Sequence, residues 1–425
     1  MHDETIALHG GYFPDSTRAV AVPVYQTVAH DFRDAAHAGA VFDLEEAGFH
    51  YNRINNPTND VLEKRLAALE GGTAALALSS GATAVTSAIL NLVEVGDNIV
   101  ATPQLYGATY TFLAAVLPRQ GVEARFPSDD RAESIEALID DKTKAVFCES
   151  VGNPAGNVVD LEAVAAVAHR HGVPLLVDNT VPTPLLLKPF DHGADVVVHS
   201  LTKFVGGHGT TLGGVIVDGG RFRWHDHPDR FPMLNLPEPA FHGVVYATQF
   251  PDTCFVVRCR TVGLRNGGAA LSPFNAFLLL QGLETLSVRL ERHESNARAV
   301  AAYLAEDPRV AWVRFLGFED HPHHELAKKY LKGRCPSIVT FGVEGGYPAG
   351  IRFFDSVKLF KRLVNMGDAK SLVAHPASTT HRQLDPAALA QAGVTADMIR
   401  LSVGLEHVDD LIEDLDQALS AALAA

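Results

Sequence analysis

The sequence contains little cysteine, no long apolar run and no concentration of positive charge, and each absence excludes a class of protein. Its four cysteines form no C-x-x-C pair and no spacing typical of disulfides or zinc, which favours a reducing compartment and predicts no metal site. No stretch of about 18 uninterrupted apolar residues occurs, and the N-terminus has no basic or apolar leader, so neither membrane spanning nor secretion is expected. A net charge of -15 disfavours nucleic acid as a partner. We therefore expect a cytoplasmic protein.

Two common nucleotide-binding motifs are also missing. No G-x-x-x-x-G-K-[ST] pattern occurs, which argues against a P-loop nucleotide site. No G-x-G-x-x-G opens a helix after a strand with an acidic residue about 20 positions further on, which argues against a dinucleotide-binding oxidoreductase. Composition is otherwise ordinary for a globular protein, with 47% hydrophobic and 20% charged residues.

Short apolar runs alternate with helical patterns between Thr73 and Val217. This alternation is typical of a largely parallel sheet covered by helices, in which ligands bind beyond the carboxyl ends of the strands. The predicted strands are 74–78, 98–101, 123–126, 144–148, 174–177, 196–199 and 213–217.

The remaining segments predict a three-part organisation. Residues 1–55 have no strong period and indicate an extended arm that embraces a neighbouring subunit. A large domain is expected over 56–270, and its proline- and aromatic-rich segment 219–263 is expected to cover the site or an interface. A smaller α+β domain is expected over 271–425, with one long helix over 272–304, strands at 337–343, 372–374 and 399–403, and a helix at 408–423.

Each of two predicted strands is followed by a residue that suits the binding or the chemistry of a cofactor. Lys203, in the run Ser200-Leu201-Thr202-Lys203, follows an apolar strand, and a lysine amine in a dry pocket can condense with an aldehyde. Asp178 follows the strand 174–177, and a carboxylate buried there requires a cationic partner. A protonated pyridine nitrogen of a cofactor would be such a partner. The alternatives are a solvated surface lysine and a helix-capping aspartate.

The segment Ser79-Ser80-Gly81-Ala82-Thr83 lies between a strand and a helix and predicts a phosphate cradle. The first amides of a helix point at a bound anion, and the helix dipole favours its negative charge. The hydroxyls of Ser200 and Thr202 would add donors to the same phosphate. A simple serine cap at the start of the helix is the alternative.

Three further positions carry aromatic or guanidinium groups suited to a planar anionic ligand. Tyr106 follows a strand end, where its ring could stack on a cofactor, although an isolated tyrosine more often packs. Tyr51 and Arg53 combine a phenol with a guanidinium and could grip phosphate oxygens or form a surface pair. Arg400 lies within an apolar strand and requires an anion, either a substrate carboxylate or an internal partner.

Taken together, these residues resemble the Cys/Met-metabolism family of pyridoxal-phosphate enzymes, and within it the O-acetylhomoserine sulfhydrylase branch. The resemblance spans nearly the whole chain. It is carried by residues 9–11 (HGG), 23–27 (PVYQT), 56–59 (NPTN), 69–72 (LEGG), 152–154 (GNP), 177–180 (VDNT), 200–203 (SLTK), 272–275 (SPFN), 375–381 (HPASTTH) and 400–404 (RLSVG). Two departures bear on it: Ala82 stands where many relatives have methionine, and Ala108 stands where methionine γ-lyases have cysteine.

The resemblance implies a fold of the aspartate aminotransferase type, fold type I: an α/β domain with a mostly parallel sheet and helices on both faces, plus a smaller C-terminal α+β domain. It implies that Lys203 forms the Schiff base with pyridoxal 5'-phosphate and acts as general base, that Asp178 pairs with the ring nitrogen, and that Tyr106 stacks on the ring. The implied phosphate ligands are Ser80, Gly81, Ala82, Ser200, Thr202 and, from a neighbouring subunit of a homotetramer, Tyr51 and Arg53. The implied carboxylate ligands are Arg400, Asn153 and Ser371.

The implied activity is a γ-replacement in methionine biosynthesis. O-acetylhomoserine would react with sulfide or methanethiol to give homocysteine or methionine and acetate. An O-succinylhomoserine sulfhydrylase and a cystathionine or methionine γ-lyase remain open as alternatives, as does a catalytically silent scaffold of the same fold.

Overall fold

The computed structural model describes residues 1–154, 156–379, 382 and 393–424. Within these residues the strands form two sheets. The strands are β1 (Ala74–Leu78), β2 (Asn98–Ala101), β3 (Glu123–Arg125), β4 (Thr143–Glu149), β5 (Leu175–Asp178), β6 (Val196–Ser200), β7 (Gly214–Asp218), β8 (Val310–Arg314), β9 (Ile338–Val343), β10 (Lys361–Arg362), β11 (Leu372–Ala374) and β12 (Met398–Ser402).

The helices fill the connections between strands and the two ends of the chain. The α-helices are α1 (Asp3–His9), α2 (Ala35–Phe42), α3 (Pro57–Glu70), α4 (Gly81–Leu90), α5 (Gly107–Thr111), α6 (Ala132–Glu136), α7 (Leu161–Arg170), α8 (Thr183–Leu186), α9 (Pro232–Asn235), α10 (Tyr246–Gln249), α11 (Cys254–Arg258), α12 (Arg265–Gly267), α13 (Pro273–Glu284), α14 (Leu286–Glu306), α15 (His324–Leu331), α16 (Gly346–Ser356) and α17 (Val408–Leu423). Shorter 3-10 or π-helical turns lie at Phe112–Val116, Leu117–Gln120, Pro189–His192, Trp224–Asp226, Cys259–Leu264 and Pro376–Ser378.

The larger sheet has seven strands in the order β1-β7-β6-β5-β4-β2-β3. Neighbouring strands from β6 to β3 are parallel, while β7 runs antiparallel to both β1 and β6. Its central strands β4, β5 and β6 are buried along almost their whole length because helices cover both faces of the sheet. The carboxyl ends of the parallel strands therefore meet along one edge, where the polar residues that follow them come together.

The second sheet has five strands in the order β10-β11-β12-β9-β8 and is mostly antiparallel. Helices α14 and α16 pack against it, and α17 packs against both of these helices, so the later part of the chain is an α+β layer. The predicted fold class, a mostly parallel α/β sheet with a smaller C-terminal α+β part, is thus confirmed. The domain boundaries at 55 and 270 stay predictions.

The predicted strands agree with the observed ones to within about two residues, but two details of the later chain were wrong or missed. The single helix predicted over 272–304 is two helices, α13 and α14, which meet at Thr285. The apolar spacing continues through this break, so the sequence does not reveal it. The strands β8 and β10 were missed because one is half exposed and the other has only two residues.

The first half of the segment 219–263 lies against the first residues of β4 and the turn before β6. Arg221 donates to the Phe190 carbonyl oxygen at 2.8 Å, and Arg230 donates to the carbonyl oxygen of Thr143, the first residue of β4. Both expectations for this segment, that it covers the site or an interface, stay predictions.

All four cysteine side chains, those of Cys148, Cys254, Cys259 and Cys335, are buried. Burial raises the pKa of each thiol above its ordinary value, to about 12 for Cys259 and Cys335. Among the residues that the structure describes, no helix is both long and apolar enough to cross a membrane.

Candidate active site

A cleft of about 200 Å³ lies where the carboxyl edge of the seven-stranded sheet faces the second sheet. The first sheet contributes the ends of β4, β5 and β6 and the start of α4, and the second contributes Arg400 of β12 and the segment 364–366 that precedes β11. Most of the predicted site residues line this one cleft: Ser80, Gly81, Ala82, Tyr106, Asn153, Asp178, Ser200, Thr202, Lys203 and Arg400.

Lys203 extends into this cleft from the turn after β6. Its Nζ donates a hydrogen bond to Oδ1 of Asn365 at 2.7 Å. Burial, together with the positive charge of Arg400, lowers the pKa of Lys203 to about 8, and the negative charge of Asp178 only partly opposes this. At pH 7 about a tenth of an amine with this pKa is unprotonated, compared with less than about 0.1% of an ordinary lysine, and the unprotonated form is the one that acts as a nucleophile or a base.

Asp178 ends β5 and carries the buried carboxylate of the cleft. Its Oδ1 accepts the backbone N–H of Thr180 at 2.9 Å. Burial raises the pKa of Asp178, while the hydrogen bonds from Thr180 and the nearby His199 and Lys203 act in the opposite direction. These groups favour an ionised carboxylate that can accept a further positive partner from the cleft.

Arg400 lies in β12 with only 8% of its surface exposed. Its Nη1 donates to Asn153 Oδ1 at 3.3 Å and its Nη2 to the Asn365 carbonyl oxygen at 2.8 Å. Its Nε is buried without a partner among the described residues, and burial lowers the pKa of the guanidinium to about 10. A buried guanidinium with neutral partners and one unsatisfied N–H is suited to a carboxylate ligand.

The predicted phosphate cradle is the N-terminus of α4. Ser80 caps this ten-residue helix by accepting the Thr83 backbone N–H on its Oγ at 3.2 Å. The first amides of a helix have no partner within it, so those of Gly81 and Ala82 are available to an anion. A Cβ at Gly81 would lie 2.4 Å from the Ser200 Cβ, which shows that glycine is required for the helix start to approach β6.

Three predicted residues are not brought into this cleft. Ser371 donates from Oγ to Glu406 Oε2 at 2.8 Å and accepts the Gly404 N–H, so its hydroxyl supports the loop after β12. Tyr51 is 40% exposed, and the Arg53 guanidinium stacks over its ring and donates to the Arg265 carbonyl oxygen. Tyr51 is exposed and Arg53 is partly exposed, and their place in a neighbouring subunit's site stays a prediction.

The sequence interpretation missed two residues that line the cleft, Asn365 and Glu149. Asn365 is bonded to Lys203 through its side chain and to Arg400 through its main chain. Glu149 ends β4, and its Oε1 accepts the backbone N–H of Tyr106 at 2.5 Å. An acidic residue directly after the predicted strand 144–148 was a signal that could have identified Glu149, whereas Asn365 follows no predicted strand.

The loop that carries Asn365 is fixed to both sheets. Gly367 N donates to Ser402 Oγ at 2.9 Å, and Ala369 N donates to the carbonyl oxygen of Gly207 at 2.7 Å. Gly367 has a φ of +70°, and a Cβ there would lie 2.6 Å from the Phe204 backbone nitrogen, next to Lys203. The loop therefore sets the position of Asn365 relative to both Lys203 and Arg400.

Replacing Asn365 with aspartate is expected to raise the pKa of Lys203, because a carboxylate at 2.7 Å favours the ammonium form. The unprotonated fraction of the amine grows as pH rises through its pKa, which is about 8 in the wild-type chain. The half-point of the amine's reaction with an acylating reagent should therefore move upward by about one to two pH units in the variant. Asn365→Ser, which adds no charge, is the control. An unmoved half-point in Asn365→Asp would contradict the contact.

The residues of this cleft fit pyridoxal phosphate. The partly buried Lys203 has a lowered pKa and suits the aldehyde, and the partly buried carboxylate of Asp178 suits the pyridine nitrogen. The N-terminus of α4, which Gly81 brings close to β6, suits the phosphate. The fold and this site together define a lysine-centred pyridoxal-phosphate enzyme of fold type I.

Comparisons with known proteins place the chain within a family. The family model for Cys/Met metabolism PLP-dependent enzymes matches residues 4–420, and the chain belongs to that family. It is 50% identical to a homocysteine synthase of Schizosaccharomyces pombe over 99% of both chains, and 50% identical to O-acetyl-L-homoserine sulfhydrylase 1 of Thermus thermophilus over 99% of this chain and all of the relative. The crystal structure of an O-acetylhomoserine (thiol)-lyase from Campylobacter jejuni, which carries a pyridoxyl-lysine phosphate, superimposes with a TM-score of 0.95 at 43% identity, over 99% of this chain and 100% of that one.

The family membership and the cofactor predicted from the sequence are thereby confirmed. The structure describes residues 375–379 of the motif at 375–381, and Thr380 and His381 lie outside the described residues.

Proposed function

We propose that this enzyme replaces the acetyl-bearing oxygen at Cγ of O-acetyl-L-homoserine with sulfur. Sulfide would give homocysteine and methanethiol would give methionine, with acetate released in each case. The names of the relatives, a homocysteine synthase and an O-acetyl-L-homoserine sulfhydrylase, support this reaction, since both are about as long as this chain and half identical to it.

The observation that carries the proposal is the shared cleft of Lys203 and Arg400. The buried Arg400 has an unpartnered Nε, and the Lys203 amine is linked to it through a single residue, Asn365. An amino-acid substrate whose carboxylate binds Arg400 would present its Cα to the amine of Lys203. Binding and proton transfer therefore act on adjacent atoms of one small substrate.

The residues that would hold the cofactor are those of the first sheet. Asp178 would meet the ring nitrogen, Tyr106 would contact the ring face, and the phosphate would bind the Gly81 and Ala82 amides with the hydroxyls of Ser80, Ser200 and Thr202. When bound, pyridoxal phosphate supplies an electron sink for the charge that develops at the substrate Cα. Lys203 would provide the covalent attachment.

In the reaction, each chain residue has a separate task. Arg400 and Asn153 would orient the substrate carboxylate, so that the Cα–H bond faces the Lys203 amine. Lys203 would take the Cα proton and return a proton at the end of the cycle. Asp178 would remain ionised throughout, and Asn365 would hold the Lys203 amine while it is not covalently engaged. Ser371 would act indirectly, through the loop after β12.

The surface position of Tyr51 and Arg53 supports assembly into a homotetramer in which each pair of subunits completes two sites. Exposed apolar side chains in the same arm, such as Phe13 at 90% and Val28 at 66%, are suited to burial against a second copy. The absence of disulfides among the four cysteines, all of them described, agrees with a reducing compartment, for which we propose the cytoplasm.

Acetate release from O-acetyl-L-homoserine, measured with and without sulfide, tests the proposed reaction. We expect release to depend on sulfide or methanethiol and to be matched by homocysteine or methionine. Release without a thiol, accompanied by ammonia and a keto acid, would identify a γ-lyase instead. Faster turnover of O-succinylhomoserine would overturn the choice of acyl group, and a purified protein that stays inert with added cofactor would favour a silent scaffold.

A further inference from the structure

Two carboxyl groups end neighbouring parallel strands at the edge where the cleft lies. Glu149 is the last residue of β4 and Asp178 the last of β5, and the two are direct Cα partners in the sheet. Neighbouring strands are about 4.8 Å apart, so paired residues project side by side on the same face. Both side chains line the cleft, but only Asp178 has a role in the proposed reaction.

The surroundings of the two groups differ in the charges that they offer. Asp178 accepts the Thr180 N–H, and its proximity to His199 and Lys203 acts to lower its pKa. Glu149 is 6% exposed and accepts the N–H of Tyr106, and among the described residues no cationic group acts to lower its pKa. Negative charge is therefore better stabilised on Asp178.

Two adjacent buried carboxylates cannot both stay ionised at low cost, because each disfavours the charge of the other. The pKa of Glu149 is raised well above its ordinary value, first by burial and then by the charge of Asp178, and only the Tyr106 N–H opposes this. The remaining charged group at the cleft, Arg400, lies in the second sheet and is turned towards Asn153 and Asn365.

We propose that Glu149 is a neutral carboxylic acid in the folded enzyme and a positioning residue for Tyr106, leaving Asp178 as the single negative charge at this edge of the sheet. The proton stays on Glu149, and its Oε1 holds the main chain at the start of α5. The benefit for catalysis rests on the proposed function, because it requires the Asp178 charge to be reserved for the cofactor ring.

This arrangement explains how Tyr106 is fixed. Its side chain is 51% exposed, and it precedes α5 without a side-chain cap. Its N–H bond to Glu149 therefore sets where the ring enters the cleft. A neutral acceptor is sufficient for that task, and it adds no second negative charge beside Asp178.

The first test compares Glu149→Gln, which keeps the size and the acceptor oxygen of a neutral acid, with wild-type enzyme loaded with cofactor. We expect an infrared band of a protonated carboxylic acid at neutral pH that weakens in Glu149→Gln and is unchanged in the matched control Glu291→Gln, whose side chain is exposed on α14. A band of equal intensity in wild type and Glu149→Gln would overturn the proposal.

The second test follows unfolding of the same loaded proteins by denaturant between pH 6 and pH 8. Glutamate is ionised in the unfolded chain above about pH 4.3, so a proton held only in the folded state makes wild-type stability fall as pH rises. Glutamine has no such proton. The unfolding equilibrium constant of wild type relative to Glu149→Gln should therefore increase by up to about tenfold per pH unit. A ratio independent of pH would overturn the proposal.

The third test separates the hydrogen bond from the charge by measuring the dissociation constant for pyridoxal phosphate. Glu149→Ala removes the acceptor for Tyr106 N–H and should weaken binding about tenfold or more, whereas Glu149→Gln should recover most of the affinity. Equal losses in both variants would show that a negative charge is needed and contradict the neutral acid. None of these readouts depends on acetate or thiol, so they can fail or succeed independently of the proposed reaction.

Discussion

Replacing Lys203 with alanine is expected to abolish sulfur transfer while leaving the protein folded. Its Nζ is the one lysine amine that lines the cleft among the described residues, with a pKa lowered to about 8 by burial and by Arg400. Loss of a positioned base alone typically lowers rates by about 10²- to 10⁴-fold, and loss of the covalent attachment adds to this. We therefore expect acetate release to fall by at least about 10³-fold.

The measurement is acetate release with saturating cofactor, paired with borohydride reduction and peptide mapping of the loaded enzyme. Reduction should tag Lys203 in wild type and in the control Lys142→Ala, whose lysine is exposed and precedes β4. Undiminished acetate release by Lys203→Ala, or a tag on another lysine, would end the assignment.

Replacing Arg400 with methionine is expected to weaken substrate capture more than it disturbs the fold. Methionine fills a similar volume, and the partners left behind, Asn153 and Asn365, are uncharged. Removing one partner of a buried charged pair typically costs about 2 to 5 kcal/mol, so kcat/KM for O-acetyl-L-homoserine should fall by about 30- to 5,000-fold. The loss should appear mainly as a raised KM if Arg400 binds the carboxylate equally in the ground and transition states.

The matched control changes the substrate instead of the protein. The carboxamide of O-acetylhomoserine lacks the charge that Arg400 would bind, so wild type should discriminate strongly against it and Arg400→Met should discriminate little. Such a cycle isolates the pairwise interaction from general damage to the cleft. Equal discrimination by both proteins would show that the carboxylate binds elsewhere.

The sequence was informative about the first sheet because its strands are buried on both faces. Their short apolar runs end abruptly in polar residues, and this change identified Lys203 and Asp178 at the carboxyl edge. The edge strands of the second sheet are short or half exposed, so β8 and β10 have no comparable pattern. The break between α13 and α14 was hidden for a related reason, since apolar residues keep their helical spacing on both sides of Thr285.

The site was harder to predict where it depends on contacts between distant segments. Asn365 meets Lys203 across 162 positions of sequence, through a loop whose path is set by Gly367 and Ala369. Ser371 follows the same loop, yet its hydroxyl is used by Glu406 and Gly404. Sequence spacing alone does not show which side chain of such a loop turns towards the cleft.

Homocysteine, the thiol product of the proposed reaction with sulfide, forms a mixed disulfide with a protein thiol only after an oxidant has converted one of the two sulfurs to a disulfide or a sulfenic acid. Oxidation of a cysteine and its exchange with a disulfide both require an accessible thiolate, and Cys148, Cys254, Cys259 and Cys335 offer none, because each is enclosed and holds its proton. Disulfides that form from the product in solution therefore find no cysteine of this enzyme with which to exchange.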